Sequence, residues 1–199
     1  MIQIRELALS GLKLITNDVF PDERGSFQEL YHEEKYKALG ITTKFIQDNL
    51  SQSKKDVIRG LHFQWDQPMS KLMRIMHGKM MAVAVDIRID SPTFGQHVAI
   101  ELSDEKPESL FVPFGFATGI CALTDSIGFI YKFSSFYNPN GESNIRYDDT
   151  TLNIQWSVTN PILAPRDREA QTFNEWLTKP ESKLFTMEAS ERFGAGFVS

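Results

Sequence analysis

The run Arg59-Gly60-Leu61-His62-Phe63-Gln64 sets one histidine between a guanidinium and a carboxamide in otherwise apolar, strand-like surroundings. An imidazole starts with a pKa of about 6.5, so a neighbouring carboxylate decides whether it takes or holds a proton near neutral pH. Side chains alternate along a strand, which turns Leu61 and Phe63 to one face and Gly60, His62 and Gln64 to the other. His62 then stands in a polar pocket backed by core, as the interior of a β-barrel or sandwich would provide. This makes His62 a candidate general base, against the plainer alternative of a solvated or core-satisfied imidazole.

Other chemistry-bearing residues are sparse. The four histidines, His32, His62, His77 and His97, include no close His-x-His pair, so the expectation is a protein that works without a metal. The single cysteine, Cys121, cannot form an intrachain disulfide and has apolar flanks, which reads as buried filler in a reducing compartment. A net charge of -5 argues against binding nucleic acid by phosphate neutralisation, while leaving room for a small phosphorylated ligand held by local basic residues. Residues 1–14 lack a signal-peptide core, and no segment carries the apolar run of about 18 residues that a membrane span needs. A cytoplasmic protein is the expectation.

The elements that must position His62 are mostly strands. The chain has 199 residues, 41% of them hydrophobic, with 15 Phe, 5 Tyr and 3 Trp, a composition suited to one aromatic-rich β domain with a sizeable core. Strands are expected at 12–16, 26–31, 43–49 and 57–64, two within 71–86 around His77-Gly78-Lys79, and others at 95–102, 109–112, 119–123 and 128–134. Pro21 to Gly25 reads as a turn and His32 to Leu39 as a short helix stopped by Gly40. Pro161 to Asp167 reads as a loop, and Arg168 to Leu177 as a helix able to pack back through Phe173 and Trp176. Many short strands at near-regular spacing predict an all-β, cupin-type jelly-roll barrel with a few short helices, one near the C-terminus. One domain is expected over residues 1–187, with 188–199 as a poorly ordered tail.

The ordered motifs resemble the dTDP-4-dehydrorhamnose 3,5-epimerase family of nucleotide-sugar epimerases, from Phe20 to about Asp167. They are Asp22 to Glu29, Gln47-Asp48-Asn49-Leu50-Ser51, Arg59 to Gln64, Val85 to Arg88 with Ser91 to Gly95, Val112 to Ala117, and Tyr131 through Tyr137-Asn138-Pro139 to Glu142. The resemblance implies removal of a proton beside a ketone at sugar carbon 4, then reprotonation of the enolate from the opposite face. That chemistry needs a base, an acid on the other side, and a cation or donor at the ketone oxygen.

By resemblance, His62 is the base, Tyr131 the acid and Lys71 the enolate-stabilising cation. Asp167, in Ile162 to Asp167, would orient His62; read without the resemblance, it is an N-cap ahead of Arg168. Arg24, Arg59 and Arg166 would meet the diphosphate, Arg166 standing where the family usually has lysine. Tyr137 would stack on the nucleotide base, with Phe27, Glu29 and Gln47, Asp48 and Asn49 lining that pocket; for Arg24 and Glu29 the alternative is a solvated ion pair. Gln64 and Glu142 complete the implied substrate contacts.

Thr118 stands where the family ordinarily has a substrate-touching histidine, and the His62 to Lys71 loop is one residue shorter than usual. The resemblance implies a cofactor-independent isomerase, a nucleotide-diphosphate keto sugar as substrate and a homodimer. Two alternatives stay open: a single-centre epimerase of another nucleotide-linked keto sugar or heptose, favoured by Thr118 and the short loop, and a non-catalytic sugar-nucleotide-binding cupin.

Overall fold

Strand β8 is Lys79-Met80-Met81-Ala82-Val83-Ala84-Val85-Asp86, apolar at every interior position, and it is buried along nearly its whole length. Such a strand must be covered on both faces. The computed structural model, which describes residues 2–194, shows how. Its strands are β1 (Gln3–Glu6), β2 (Lys13–Thr16), β3 (Phe20–Asp22), β4 (Gly25–Phe27), β5 (Gln47–Lys54), β6 (Ile58–Gln64), β7 (Lys71–His77), β8 (Lys79–Asp86), β9 (His97–Ser103), β10 (Glu108–Val112), β11 (Phe116–Ala122), β12 (Ser126–Phe133) and β13 (Glu142–Asn144). The helices are α1 (Glu33–Ala38), α2 (Pro165–Arg168), α3 (Phe173–Leu177) and α4 (Met187–Gly194), with a 3-10 turn at Pro180–Leu184.

The strands form an antiparallel six-stranded sheet, β1-β2-β10-β7-β12-β5, facing a five-stranded one, β13-β6-β11-β8-β9. This is the expected all-β jelly-roll barrel. Period-two alternation divides the core. Met80, Ala82 and Ala84 of β8 face inward with Met73 and Ile75 of β7, while Met81, Val83 and Val85 face outward onto Phe173, Trp176 and Phe185. The outer face of the other sheet is covered by Tyr36 and Ile41, packed on Ile15, Leu72 and Phe111. Each large apolar side chain buried this way stabilises the fold by about 1.5–3 kcal/mol.

Several expected elements are redrawn. The strand expected at 26–31 is only β4, closing an exposed hairpin with β3. The strand expected at 43–49 begins at Gln47 and runs on to Lys54, because β5 pairs along all of β12. The loop expected at 161–167 contains a bridge from Ile162 to Val57 and the start of α2. The helix expected at 168–177 is broken: Gln171 bridges to Ile145, and a capping box of Thr172 with Glu175 starts α3 afresh at Phe173. Part of the tail expected to be poorly ordered is helix α4. Its Ser190 hydroxyl donates to the Phe114 carbonyl at 2.5 Å, and Phe193 packs edge-on against Phe114. The rest of that tail lies outside the described residues.

Candidate active site

Two walls of one cavity come from the two sheets. From the five-stranded sheet, β6 supplies Arg59 and His62, β11 supplies Thr118, and β13 supplies Glu142. From the six-stranded sheet, β5 supplies Gln47 and Asn49, β7 supplies Lys71, and β12 supplies Tyr131. The cavity has a volume of about 300 Å³ and is also lined by Tyr137 and Arg166.

The His62 Nε2 lies 2.6 Å from the Asp167 carboxylate, which is 2% exposed. Asp167 arrives on α2, anchored before the helix by Ile58 N–H donating to the Ile162 carbonyl and beside it by Asn144 Nδ2 donating to the Arg166 carbonyl at 2.7 Å. Asn144 sits opposite His62 in the β13–β6 ladder, so one strand braces both the imidazole and its carboxylate. Asp167 falls inside α2, whose N-cap is Ala164; the capping alternative is therefore set aside. Arg166 Nη2 lies 3.1 and 3.0 Å from the two ring nitrogens of His62 and pairs through Nη1 with Glu142 at 2.8 Å. The imidazole thus sits between an anion and a cation.

On the facing wall, Tyr131 stacks on Phe129 at 5.3 Å and tilts against Phe133 at 5.1 Å. Burial pushes its phenol above the ordinary tyrosine value, partly offset by Arg59, which keeps the O–H protonated at neutral pH. Lys71 Nζ donates to Thr118 Oγ1 at 2.7 Å and to the His62 carbonyl at 3.2 Å. Burial pulls its ammonium down to about 8, against the opposing attraction of Glu142. Tyr137 donates through its hydroxyl to Glu142 at 3.0 Å, which ties the cavity mouth to the Arg166 pair. The arrangement offers an oriented base, a protonated phenol opposite it and an ammonium between: the parts required to move a proton from one face of a carbon acid to the other.

Besides Asp167, which reaches the site only through His62, five residues singled out in the sequence lie off this cavity lining. Arg24 pairs with Asp22 at 2.6 Å on the β3–β4 hairpin, where Phe27 is 67% exposed beside Phe20. Glu29 pairs with Lys35, and Asp48, on the alternate face of β5 from Gln47 and Asn49, pairs with Lys132. Gln64 is buried and braces loops instead, donating to the carbonyls of Gln67 and Phe136 and accepting from Asn138 N–H. Sequence reasoning missed Ser51, Met73, Phe129 and Phe133, which line the cavity. The Phe129, Tyr131, Phe133 alternation was a usable signal for that aromatic wall. Among the described residues, no three His, Cys, Asp or Glu side chains gather as a metal-binding set, and no helix is long and apolar enough to cross a membrane.

Residues 6–175 match the family model described as dTDP-4-dehydrorhamnose 3,5-epimerase. A protein of that description from Shigella flexneri is 44% identical over 157 residues, covering 78% of this chain and 87% of the relative. A dTDP-4-dehydrorhamnose 3-epimerase from Streptomyces niveus is 33% identical over 85% of this chain and 83% of the relative. The crystal structure of the 3,5-epimerase from Legionella pneumophila in complex with dTDP-4-keto-L-rhamnose superposes with a TM-score of 0.87 at 40% identity, covering 92% of this chain and 97% of that one.

Proposed function

The chain belongs to the dTDP-4-dehydrorhamnose 3,5-epimerase family, and we propose that its cavity performs that reaction with His62 as base, Tyr131 as acid and Lys71 as the cation at the ketone oxygen. It is an isomerase that inverts carbons 3 and 5 of a nucleotide-linked 4-keto-6-deoxy sugar, of the dTDP-4-dehydro-6-deoxyglucose type. Both carbons flank the ketone at carbon 4, so both carry protons that the carbonyl acidifies. In the proposed step His62 takes the proton, the C–H electron pair moves onto the carbon 4 oxygen as an enolate, and the Lys71 ammonium faces that oxygen. Tyr131 then protonates the carbon from the other side; its phenolate takes a proton from solvent, and the His62 imidazolium gives its proton up to solvent. Asp167 pairs with Nε2 of His62 and stabilises the imidazolium that forms, and Arg166, whose Nη2 lies 3.1 Å from Nδ1, would turn to the diphosphate for Nδ1 to receive the proton.

The observation that carries this reading is the 2.6 Å His62–Asp167 pair in a cavity whose facing wall presents Tyr131. Incubation with dTDP-4-keto-6-deoxyglucose in deuterated water, followed by NMR, tests it. Deuterium at carbons 3 and 5 is expected, and no incorporation at either would overturn it. Incorporation at one carbon selects the single-centre alternative, which Thr118 and the similarity to a 3-epimerase favour.

Arg59 and Arg166 are proposed to meet the diphosphate and Tyr137 the nucleotide base. Arg24 and Phe27 belong to the same proposal through a second copy of the chain. They sit on an exposed hairpin off their own cavity, so in a homodimer the hairpin would serve its neighbour. A cytoplasmic site of action completes the proposal, supported by the one buried, unpaired thiol of Cys121.

A further inference from the structure

Thr118 and His62 are direct partners in the β11–β6 ladder, and Lys71 reaches both from the opposite sheet. The hydrogens can be counted. Thr118 Oγ1 accepts from Lys71 Nζ at 2.7 Å and donates its own hydrogen to the His62 carbonyl at 3.2 Å. The ammonium has three N–H groups; one goes to Thr118 and one to the His62 carbonyl, and the third is left for the cavity. The threonine hydroxyl, its hydrogen spent, has none to offer a bound sugar.

We propose that Thr118 is a positioning residue: its Oγ1 holds the Lys71 ammonium so that a single N–H is aimed at the ketone oxygen, and it does so without touching the substrate. This rests on the reading of Lys71 as the group that faces the enolate. The lysine side chain has a flexible stem, and an acceptor at 2.7 Å removes much of that freedom before the substrate binds. A hydrogen bond to the charged form also favours that form, against the burial that disfavours it.

The test compares the parent with Thr118→Val, Thr118→Ala, Thr118→Ser and Lys71→Met by kcat, KM and the pH profile of kcat. Thr118→Val is expected to lower kcat about tenfold with KM within about twofold, and to move the basic limb of the profile to lower pH. Thr118→Ala, which removes the hydroxyl without adding a methyl, is read by the same criteria should the valine variant fail to fold. Thr118→Ser is expected to restore kcat to within about threefold and return the basic limb to its place. Parent-like kcat and basic limb in the valine or alanine variant, with Lys71→Met inactive, would overturn the proposal and leave the site reading standing. A serine variant as impaired as the valine variant would also overturn it, since the loss would then come from packing. Parent-like activity in Lys71→Met would overturn the site reading, and this inference with it.

Discussion

Arg59 and His62 line the same cavity although they are three residues apart, a spacing that an unbroken strand turns to opposite faces. The register explains it. His62 lies opposite Thr118 and Arg59 opposite Ile120, so three steps along β6 span two along β11, and the extra residue restores the shared face. Gly60 sits inside this irregularity at φ +123°, and a Cβ there would come within 2.5 Å of the Gly119 Cα and 2.6 Å of the Thr118 carbonyl oxygen.

Gly60→Ala is therefore expected to destabilise the fold by about 3 kcal/mol or more, because it combines a left-handed backbone with a clash against backbone. Urea unfolding measures it. A loss under about 1 kcal/mol would show that the two strands part easily at this point.

With His62 and Tyr131 on opposite walls, the proposed base and acid separate two signals that usually move together. His62→Asn is expected to lower both deuterium incorporation and product formation by about 10²–10⁴-fold. Tyr131→Phe is expected to lower epimerised product by a similar factor while His62 still exchanges the proton on its own face. NMR of one reaction mixture reads both. Equal loss of exchange and product in Tyr131→Phe would mean the phenol acts before the enolate forms.

Activity is expected to fall as pH rises through about 8, where the Lys71 ammonium loses its proton and the enolate its counter-charge. Initial rates from pH 6 to 10 measure the limb, and Lys71→Arg, which stays charged, should remove it. A limb unchanged in that variant would assign the titration to another group.

The same burial has a cost in stability. The folded ammonium titrates at about 8 and the free side chain at 10.5, so the unfolded chain binds the proton more tightly. The penalty is full below about pH 8 and is relieved as pH rises towards 10.5. Lys71→Met, which removes that penalty, is expected to be inactive yet more stable at pH 7 by about 3 kcal/mol. Equal urea midpoints for parent and variant would refute it.

Much of this site was legible in sequence, for a reason that differs by residue. His62, Tyr131, Tyr137 and Glu142 belong to the ordered motifs, Lys71 and Arg166 come from the resemblance of the segments around them, and each reaches the cavity. Asp167 was ambiguous because a carboxylate before a basic residue is equally good at capping a helix, and only the long-range fold separates the two roles. The shared face of Arg59 and His62 could not be read at all, since a bulge is written in the pairing of two strands and not in either alone. Gln64 has the parity of a cavity residue, but neighbouring loops captured its carboxamide. A helix near the C-terminus was expected, but α4 falls where a poorly ordered tail was read, because its few apolar residues make sense only against the aromatic surface that receives them.

The His62–Asp167 pair joins side chains 105 positions apart. A nascent chain can complete the strands of both walls before the segment bearing Asp167 has emerged, and His62 then has no carboxylate behind it. The proposed turnover accordingly waits on a late segment: until α2 and the aromatic residues behind it have docked, the outer face of β8 lies bare and the imidazole has no carboxylate to orient it.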